Sequence, residues 1–198
     1  MIVGEGLCSN IYVIGKDRAT VIDTGVGNRA NPIWPQLEEI GIGPGNLRNI
    51  IITHAHHDHA SGTFILLDRS DPKVFIHSRD TKYIATHFGN ALVKVEEGDV
   101  IETELWPLQV IWTPGHTEGG MCLYAKDQGI LFSGDTVFSD GYFGRSDGES
   151  GDHQTLIHSI KKLTKLNVNI MLAGHGTPVL AGASENIKLA LRNAELYG

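Results

Sequence analysis

The sequence predicts an α+β fold in which two β-sheets pack face to face and helices cover their outer faces. Three observations indicate this class of fold. Apolar segments of strand length occur in two groups along the chain. Segments of helical length lie among them, and 24 glycines indicate many tight turns between short elements. No stretch rich in Pro, Gly or Ser divides the chain, so we expect one domain spanning residues 1–198.

The first group of elements begins with two strands, at residues 10–15 and 19–23, separated by a short charged turn. A helix is predicted over residues 30–41, where Gly41 ends it. Residues 49–53 form a continuous apolar run of strand length. Such a run is typical of a strand that is buried on both faces.

The middle of the chain continues this alternation. Residues 58–67 predict a short helix and residues 73–77 predict a strand. Residues 78–88 predict another helix, with Ser78 as its N-cap because a serine hydroxyl can accept a free amide of the first turn. This alternation predicts that helices cover one face of the first sheet.

The second group of elements consists mainly of strands. These strands are predicted at residues 93–95, 108–112, 121–125, 129–132 and 169–172. Two helices accompany them, at residues 152–165 and 184–196. They complete the prediction of a second sheet with helices outside it.

The composition excludes several classes of function. There are 16 basic and 23 acidic residues, whereas nucleic-acid binding usually needs a basic excess, so we expect no nucleic-acid partner. No apolar run reaches the length of a membrane span, and no secretion signal begins the sequence, so we expect a cytoplasmic protein without membrane contact. Cys8 and Cys122 lie far apart, and we expect two buried thiols rather than a disulfide.

A cluster of histidines directly follows the buried strand at residues 49–53. The segment reads His54-Ala55-His56-His57-Asp58-His59. In an extended chain, residues two apart point the same way, so His54 and His56 can present imidazoles to one ion. Asp58 and His59 lie where the chain turns into a helix and can face a second ion. Imidazole and carboxylate are ligands of zinc, iron or manganese.

Three later residues lie in glycine-rich turns that follow strands. They are His116, Asp135 and His175, each with glycine beside it in the sequence. A strand end is a rigid place for a ligand, and glycine allows close approach of the backbone. We therefore expect two divalent ions, zinc first, with iron or manganese as alternatives. His54, His56 and His116 would hold one ion; Asp58, His59 and His175 would hold the other; and Asp135 would bridge them.

In this order and spacing, the residues resemble the metallo-β-lactamase superfamily. The match covers residues 20 to 178, and the run from Gly134-Asp135-Thr136 to Gly144-Arg145-Ser146-Asp147 is similar to the short glyoxalase II-like members. The resemblance implies a four-layer αββα sandwich with the metals at one edge between the two sheets. It also implies hydrolysis, foremost of a small-molecule thioester and otherwise of a related ester or lactone.

The roles of individual residues follow from the expected pair of ions. A hydroxide that bridges the ions would attack the substrate carbonyl, and Asp58 would bind one ion and orient this nucleophile, which makes it the catalytic residue. The resemblance implies that Asp23 orders the histidine loop; a turn carboxylate without such a role is the alternative. Arg145 is a candidate for holding a substrate carboxylate, or it pairs with Asp147. Tyr142 either lines the pocket or packs.

The remaining histidines are not expected to bind metal. His57 should point away from the ligands that flank it, and four others are expected to be surface or helix residues: His77, His87, His153 and His158.

Two other functions remain open. A mononuclear iron oxidoreductase of the persulfide dioxygenase type resembles the same Gly-Arg-x-Asp run, and there two histidines and a carboxylate would leave positions open for oxygen. A binding module could instead use one metal for structure alone. Such a site needs only one closed ion, so seven candidate ligands in open turns favour the hydrolase.

Overall fold

The described residues form two five-stranded sheets that face each other. The structure is a computed structural model that describes residues 1–30 and 32–197; Asn31, inside the predicted helix 30–41, and Gly198 lie outside the described residues. The strands, in chain order, are β1 (Tyr12–Ile14), β2 (Ala19–Ile22), β3 (Leu47–Ile51), β4 (Lys73–His77), β5 (Leu92–Val95), β6 (Val100–Ile101), β7 (Leu108–Trp112), β8 (Met121–Ala125), β9 (Ile130–Gly134) and β10 (Ile170–Ala173).

The first sheet has the order β1-β2-β3-β4-β5. Only β1 and β2 pair antiparallel, and the other neighbours pair parallel. Parallel strands need crossover connections, and the helices between these strands provide them. The carboxyl ends of β2, β3 and β4 therefore meet at one edge of the sheet.

The second sheet has the order β10-β9-β8-β7-β6. Its strands pair antiparallel except for β9 and β10, which run parallel. The connection between this parallel pair contains a long helix that packs outside the sheet. As a result, the carboxyl ends of β9 and β10 lie side by side.

The helices lie in the connections between strands and after β10. They are α1 (Ile33–Glu39), α2 (His57–Ala60), α3 (Gly62–Leu67), α4 (Ala85–Phe88), α5 (His153–Leu163) and α6 (Ala183–Tyr197). Short 3-10 helices span Ser78–Tyr83, Gly89–Ala91, Lys126–Gln128 and Ser139–Gly141. No helix of the described residues is long and apolar enough to cross a bilayer.

Three apolar clusters hold the layers together. One cluster lies between the sheets and includes Ile51 from the first sheet and Leu108 from the second. A second packs helices such as α1 against the outer face of the first sheet, around Leu37. The third packs α5 and α6 on the outer face of the second sheet, around Leu156. Full burial of one such side chain contributes about 1.5–3 kcal/mol. These layers confirm the predicted αββα sandwich.

The structure departs from the predicted elements in three places. The predicted helix 58–67 is interrupted at Ser61, because the amide of Gly62 donates to the carbonyl of Gly25 at 2.9 Å rather than to a carbonyl of its own helix. The predicted helix 78–88 is a 3-10 helix followed by one α-turn, and His77 rather than Ser78 is its N-cap. The strand β6 was not predicted, because two residues are too few to show the alternation typical of a strand.

Candidate metal centre

The structure brings all seven predicted ligands to one edge between the sheets. Each follows the carboxyl end of a strand, directly or through the first turn of a helix. The loop after β3 carries the first two, α2 the next two, and the turns after β7, β9 and β10 one each: His54, His56, Asp58, His59, His116, Asp135 and His175. Residues separated by more than 100 positions, such as His59 and His175, meet because the two sheets pack face to face with these strand ends at the same edge.

The first group consists of three imidazoles, which we call the first triad: His54, His56 and His116. Nδ1 of His56 lies 3.0 Å from Nε2 of His54 and 3.0 Å from Nε2 of His116. Four ligands at the usual zinc distance form a tetrahedron with edges of about 3.3 Å. The spacing of the three nitrogens therefore fits one tetrahedrally held ion.

Hydrogen bonds on the far side of the rings show which nitrogens carry protons. Nδ1 of His116 lies 2.7 Å from the carbonyl oxygen of Arg145, which can only accept, so this nitrogen is protonated. Nδ1 of His54 lies 3.1 Å from Oγ1 of Thr53, and this hydroxyl donates to Asp23. The ring nitrogen is then the donor. Both rings consequently direct an unprotonated Nε2 into the triad, as a metal requires.

The second group is Asp58, His59 and His175, the second triad. Nε2 of His175 lies 3.2 Å from Oδ2 of Asp58 and 3.3 Å from Nε2 of His59. Nδ1 of His59 donates to Oδ2 of Asp23 at 2.8 Å, which leaves its Nε2 free to act as a ligand. The Asp58 side chain is 18% exposed, so this triad also reaches solvent.

Asp135 lies between the two triads. Its Oδ1 is 3.3 Å from Nε2 of His59, and its Oδ2 is 3.6 Å from Nε2 of both His116 and His175. Oδ1 is buried and has no hydrogen bond of good geometry among the described residues. A Cβ at Gly174 would overlap this oxygen and the ring of His59, so only glycine leaves the space.

This arrangement fits a pair of divalent ions. A buried carboxylate oxygen without a donor is costly in an apolar surrounding, and a cation would satisfy it. Imidazole and carboxylate are the donors that zinc, iron and manganese accept, and no cysteine belongs to the groups found among the described residues. The donor set therefore fits the predicted metal centre, with Asp135 placed to contact both ions.

The electrostatics favour the neutral form of His54 and His56 and the ionised form of Asp58 and Asp135. Burial lowers the pKa of His54 well below its ordinary value, and the neighbouring imidazoles lower it further. Burial works to lower the pKa of His59, but Asp135 and Asp23 outweigh it and raise the pKa well above its ordinary value. Burial works to raise the pKa of Asp58, yet the hydrogen bond with His175 and the charge of His59 lower it to about 2.

Asp23 anchors the histidine loop from the end of β2. Its Oδ1 accepts the backbone amide of Thr53 at 2.8 Å, and its Oδ2 accepts both the Thr53 hydroxyl and Nδ1 of His59. The residue has a positive φ of 55°, which aspartate tolerates better than most residues. The carboxylate thus lies behind the ligands rather than among them.

Two contacts that position ligands are visible only in the structure. The carbonyl of Arg145 orients His116, whereas the predicted role of Arg145 concerns its guanidinium. Asn10 donates to the carbonyls of Ala173 and Gly176 at 3.1 and 3.0 Å and so holds the turn that carries His175. Neither contact has a local sequence signal, because each joins residues that are far apart in the chain.

The remaining predicted residues lie at the rim or outside the centre. Arg145 forms two hydrogen bonds of 3.0 Å with Asp147, so the ion pair that was one alternative is present. Tyr142 is 69% exposed. His57 is turned to solvent, as predicted, and the helix positions of His87, His153 and His158 agree with the prediction. The prediction for His77 is wrong: it is buried at the end of β4 and stacks on Trp112.

Comparisons with known proteins identify similar sequences. The profile of the metallo-beta-lactamase superfamily matches residues 4–175. The chain is 30% identical over 205 residues to the "probable metallo-hydrolase YqgX" of Bacillus subtilis (strain 168), covering 94% of each protein. It is 29% identical over 192 residues to "hydroxyacylglutathione hydrolase GloC" of Haemophilus influenzae, covering 88% of this chain and 87% of that protein.

A solved structure gives the same result for the fold. The crystal structure of a metallo-beta-lactamase family protein from Thermus thermophilus superimposes with a TM-score of 0.82. The alignment covers 98% of this chain and 78% of the other, at 19% sequence identity. Identity at this level supports the fold and not a shared activity.

Proposed function

Since the chain belongs to the metallo-beta-lactamase superfamily, we propose that it is a metal-dependent hydrolase that uses two divalent ions to cleave a small-molecule thioester or a related ester or lactone. The observation that carries the proposal is the position of Asp135, with one oxygen toward His59 and the other toward His116 and His175. Two ligand groups that share a carboxylate are the arrangement a pair of ions requires.

The proposed ligand sets are the two triads, with Asp135 shared. The ions would be zinc first, with iron or manganese as alternatives, because all three accept imidazole and carboxylate. When bound, such ions polarise a carbonyl oxygen and make water a stronger nucleophile near neutral pH. The neutral imidazole of His54 can coordinate without losing a proton, since burial holds its pKa low.

Asp58 is the proposed catalytic residue. Its carboxylate is ionised at neutral pH and partly exposed, so it can accept a hydrogen bond from a water molecule and orient its lone pair toward the substrate. In the hydrolysis of a thioester, the bond from water oxygen to the acyl carbon forms and the carbon–sulfur bond breaks. The products are a carboxylate and a thiol, whose sulfur takes up a proton that water releases.

Two cavities beside the triads support a substrate with two arms. A cavity of about 210 Å³ adjoins His56 and is lined in part by Thr117 and Glu149. A cavity of about 380 Å³ adjoins His175 and is lined in part by Val3 and Pro178. A thioester has an acyl arm and a thiol arm, and cavities on either side of the reacting bond can hold one each.

Arg145 and Tyr142 are proposed to contact the substrate at the rim. The Arg145 guanidinium is 84% exposed and, among the described residues, pairs with a carboxylate that is itself 70% exposed, Asp147. A substrate carboxylate can replace Asp147 with the same two hydrogen bonds. Tyr142 presents an exposed ring after the 3-10 helix Ser139–Gly141, where it can cover an apolar part of the substrate.

Relatives support a thioester in particular. A protein of similar length is named as a hydroxyacylglutathione hydrolase, and its named substrate is a thioester. The test is a parallel assay on one preparation of known metal content. Release of free thiol from lactoylglutathione and from acyl esters of coenzyme A would be followed beside oxygen uptake with glutathione persulfide.

We expect thiol release that needs zinc or manganese and does not depend on oxygen. The variant His116→Ala is the control, because it should lose both a first-triad ligand and the activity. Oxygen uptake that follows iron content, without cleavage of any ester or thioester, would establish the persulfide dioxygenase instead and overturn the proposal.

A further inference from the structure

A second buried carboxylate, Asp80, lies beside the metal centre but belongs to neither triad. It is in the 3-10 helix Ser78–Tyr83 that follows β4, and it is 0% exposed. Among the described residues, no cation pairs with it. Burial of a carboxylate without a counter-ion costs several kcal/mol unless hydrogen bonds satisfy its oxygens. The three groups that donate hydrogen bonds to Asp80 therefore indicate its role.

The three donors come from the two loops that carry the first triad. Oδ2 accepts the backbone amide of Ala55 and the hydroxyl of Thr117, each at 2.9 Å. Oδ1 accepts the backbone amide of Gly119 at 2.7 Å. Ala55 separates His54 from His56 in the loop of the first sheet, and Thr117 follows His116 in the loop of the second. One carboxylate therefore ties together loops from both sheets.

Asp80 and Gly119 are in direct contact, with no space for a side chain at position 119. A Cβ at Gly119 would lie 2.5 Å from the Asp80 nitrogen and 2.6 Å from its Oδ1. Only glycine permits this approach of backbone to carboxylate. The two positions therefore fit each other directly, with no room for a water molecule between them.

Asp23 makes the corresponding contact on the opposite side of β3. Asp23, after β2, accepts the amide of Thr53, and Asp80, after β4, accepts the amide of Ala55. The two amides flank His54. The second contacts of the carboxylates differ, since Asp23 orients His59 of the second triad, whereas Asp80 holds the loop of His116.

We propose that Asp80 is a positioning residue for the first triad, where it holds the loops of His56 and His116 at the spacing one ion needs. This inference rests on the proposed metal centre. The two carboxylates differ in this respect: Asp80 contacts only loops of the first triad, whereas Asp23 contacts His59 of the second triad directly and also holds Thr53, the neighbour of His54. The hydrogen bonds of Asp80 described above reach no residue of the second triad.

The experiment measures zinc affinity at each site by competition with a chromophoric chelator. Asp80→Asn would be combined with His175→Ala, which disables the second triad and leaves the first to be measured. It would also be combined with His116→Ala, which leaves the second. Asparagine keeps the volume but replaces one acceptor oxygen with an N–H, which opposes a donor in either orientation.

We expect Asp80→Asn to weaken zinc binding about 10- to 100-fold at the first site and less than about twofold at the second. Asp99→Asn is the matched control, because this carboxylate accepts a turn amide, that of Glu96, away from both triads and should change neither affinity. Thr117→Val removes one donor and should weaken the first site in the same direction. It provides a second test if Asp80→Asn does not fold.

Equal weakening at both sites, or no change at the first, would overturn the role of Asp80. The readout is binding alone, so it separates this inference from the proposed activity. A wild-type chain that binds zinc at both sites but cleaves no ester or thioester overturns only the proposed function. A wild-type chain that binds no zinc, iron or manganese overturns both.

Discussion

The carboxylate of Asp23 accepts a hydrogen bond from Nδ1 of His59 at 2.8 Å, between side chains that are 3% and 0% exposed. This bond places the ring proton on the far side from the triads and directs Nε2 toward Asp135. A carboxylate behind a ligand imidazole also makes the imidazole more basic. The contact with Asp23 therefore fixes the orientation of the His59 ring and the nitrogen that it offers to a cation.

Replacing Asp23 with asparagine should weaken the binding of an ion at the second triad. The amide can still contact His59, but it carries no charge to support the imidazole, and a loss of about 10- to 100-fold in zinc affinity is expected. Chelator competition in the His116→Ala variant isolates this site. An affinity equal to that of His116→Ala alone would show that the Asp23 contact does not orient His59.

Replacing Asp58 with alanine should stop turnover without unfolding the protein. The change removes both a ligand and the group that orients the nucleophile, so kcat should fall by a factor on the order of 10² or more. The fold should persist because the side chain is at the sheet edge, outside the three apolar clusters. Steady-state kinetics and thermal unfolding measure the two effects.

His57→Ala is the matched control for this variant. The His57 side chain is 74% exposed, and its Nδ1 lies 3.8 Å from Oδ1 of Asp58, which is too far for a hydrogen bond. The control should therefore keep wild-type turnover. Near-normal activity of Asp58→Ala with both ions bound would mean that another group orients the nucleophile.

Metal content should approach two ions per chain. Elemental analysis after purification without chelators, and again after incubation with excess zinc or manganese, measures this stoichiometry. Removal of the ions should lower Tm, because an ion that binds only the folded chain stabilises it by about 2.7 kcal/mol at 100 times its Kd. A firm value of one ion per chain under both conditions would favour the mononuclear iron alternative.

Replacing Arg145 with alanine should raise KM for acidic substrates more than it lowers kcat, since the group would bind substrate without taking part in the chemistry. Asp147→Asn should have the opposite effect on KM, because it releases the guanidinium from its two hydrogen bonds. Kinetics on a neutral and an acidic ester of the same acyl group test both variants. Equal changes in KM for the two substrates would show that Arg145 does not bind the substrate carboxylate.

Cys122 should be unreactive in the folded protein. Burial raises the pKa of its thiol to about 11, more than hydrogen bonds with Thr113 and Thr136 lower it. At pH 8 only about one thiol in a thousand is then ionised, and the thiolate is the reactive form. In a Cys8→Ser variant, a disulfide reagent should label Cys122 only after denaturation. Rapid labelling of the native variant would contradict this.

Much of the fold could be predicted from local patterns. The bounds of β4, β7 and β8 match the prediction because each is a continuous or alternating apolar run with clear turns on both sides. The broken helix at Ser61 could not be predicted. Its cause is the hydrogen bond from the amide of Gly62 to the carbonyl of Gly25, two residues that are far apart in the sequence and meet only in the folded chain.

The candidate ligands could be predicted because their chemistry is carried by residue type and spacing. The residues that position them could not. Asp80, Asn10 and the carbonyl of Arg145 act through hydrogen bonds between distant segments, and nothing in their local sequence distinguishes them from turn residues. His77 was misassigned for a related reason, since its burial depends on the Trp112 ring from the other sheet.

The division of the first triad between the two sheets has a consequence for how the centre matures in the cell. During synthesis the chain grows from its N-terminus, and His54 and His56 exist before the strand that carries His116 has been made. The nascent first sheet alone offers an incomplete set of donors. The complete donor set of the first triad exists only after the two sheets have docked, so binding of an ion there and docking of the sheets would stabilise each other.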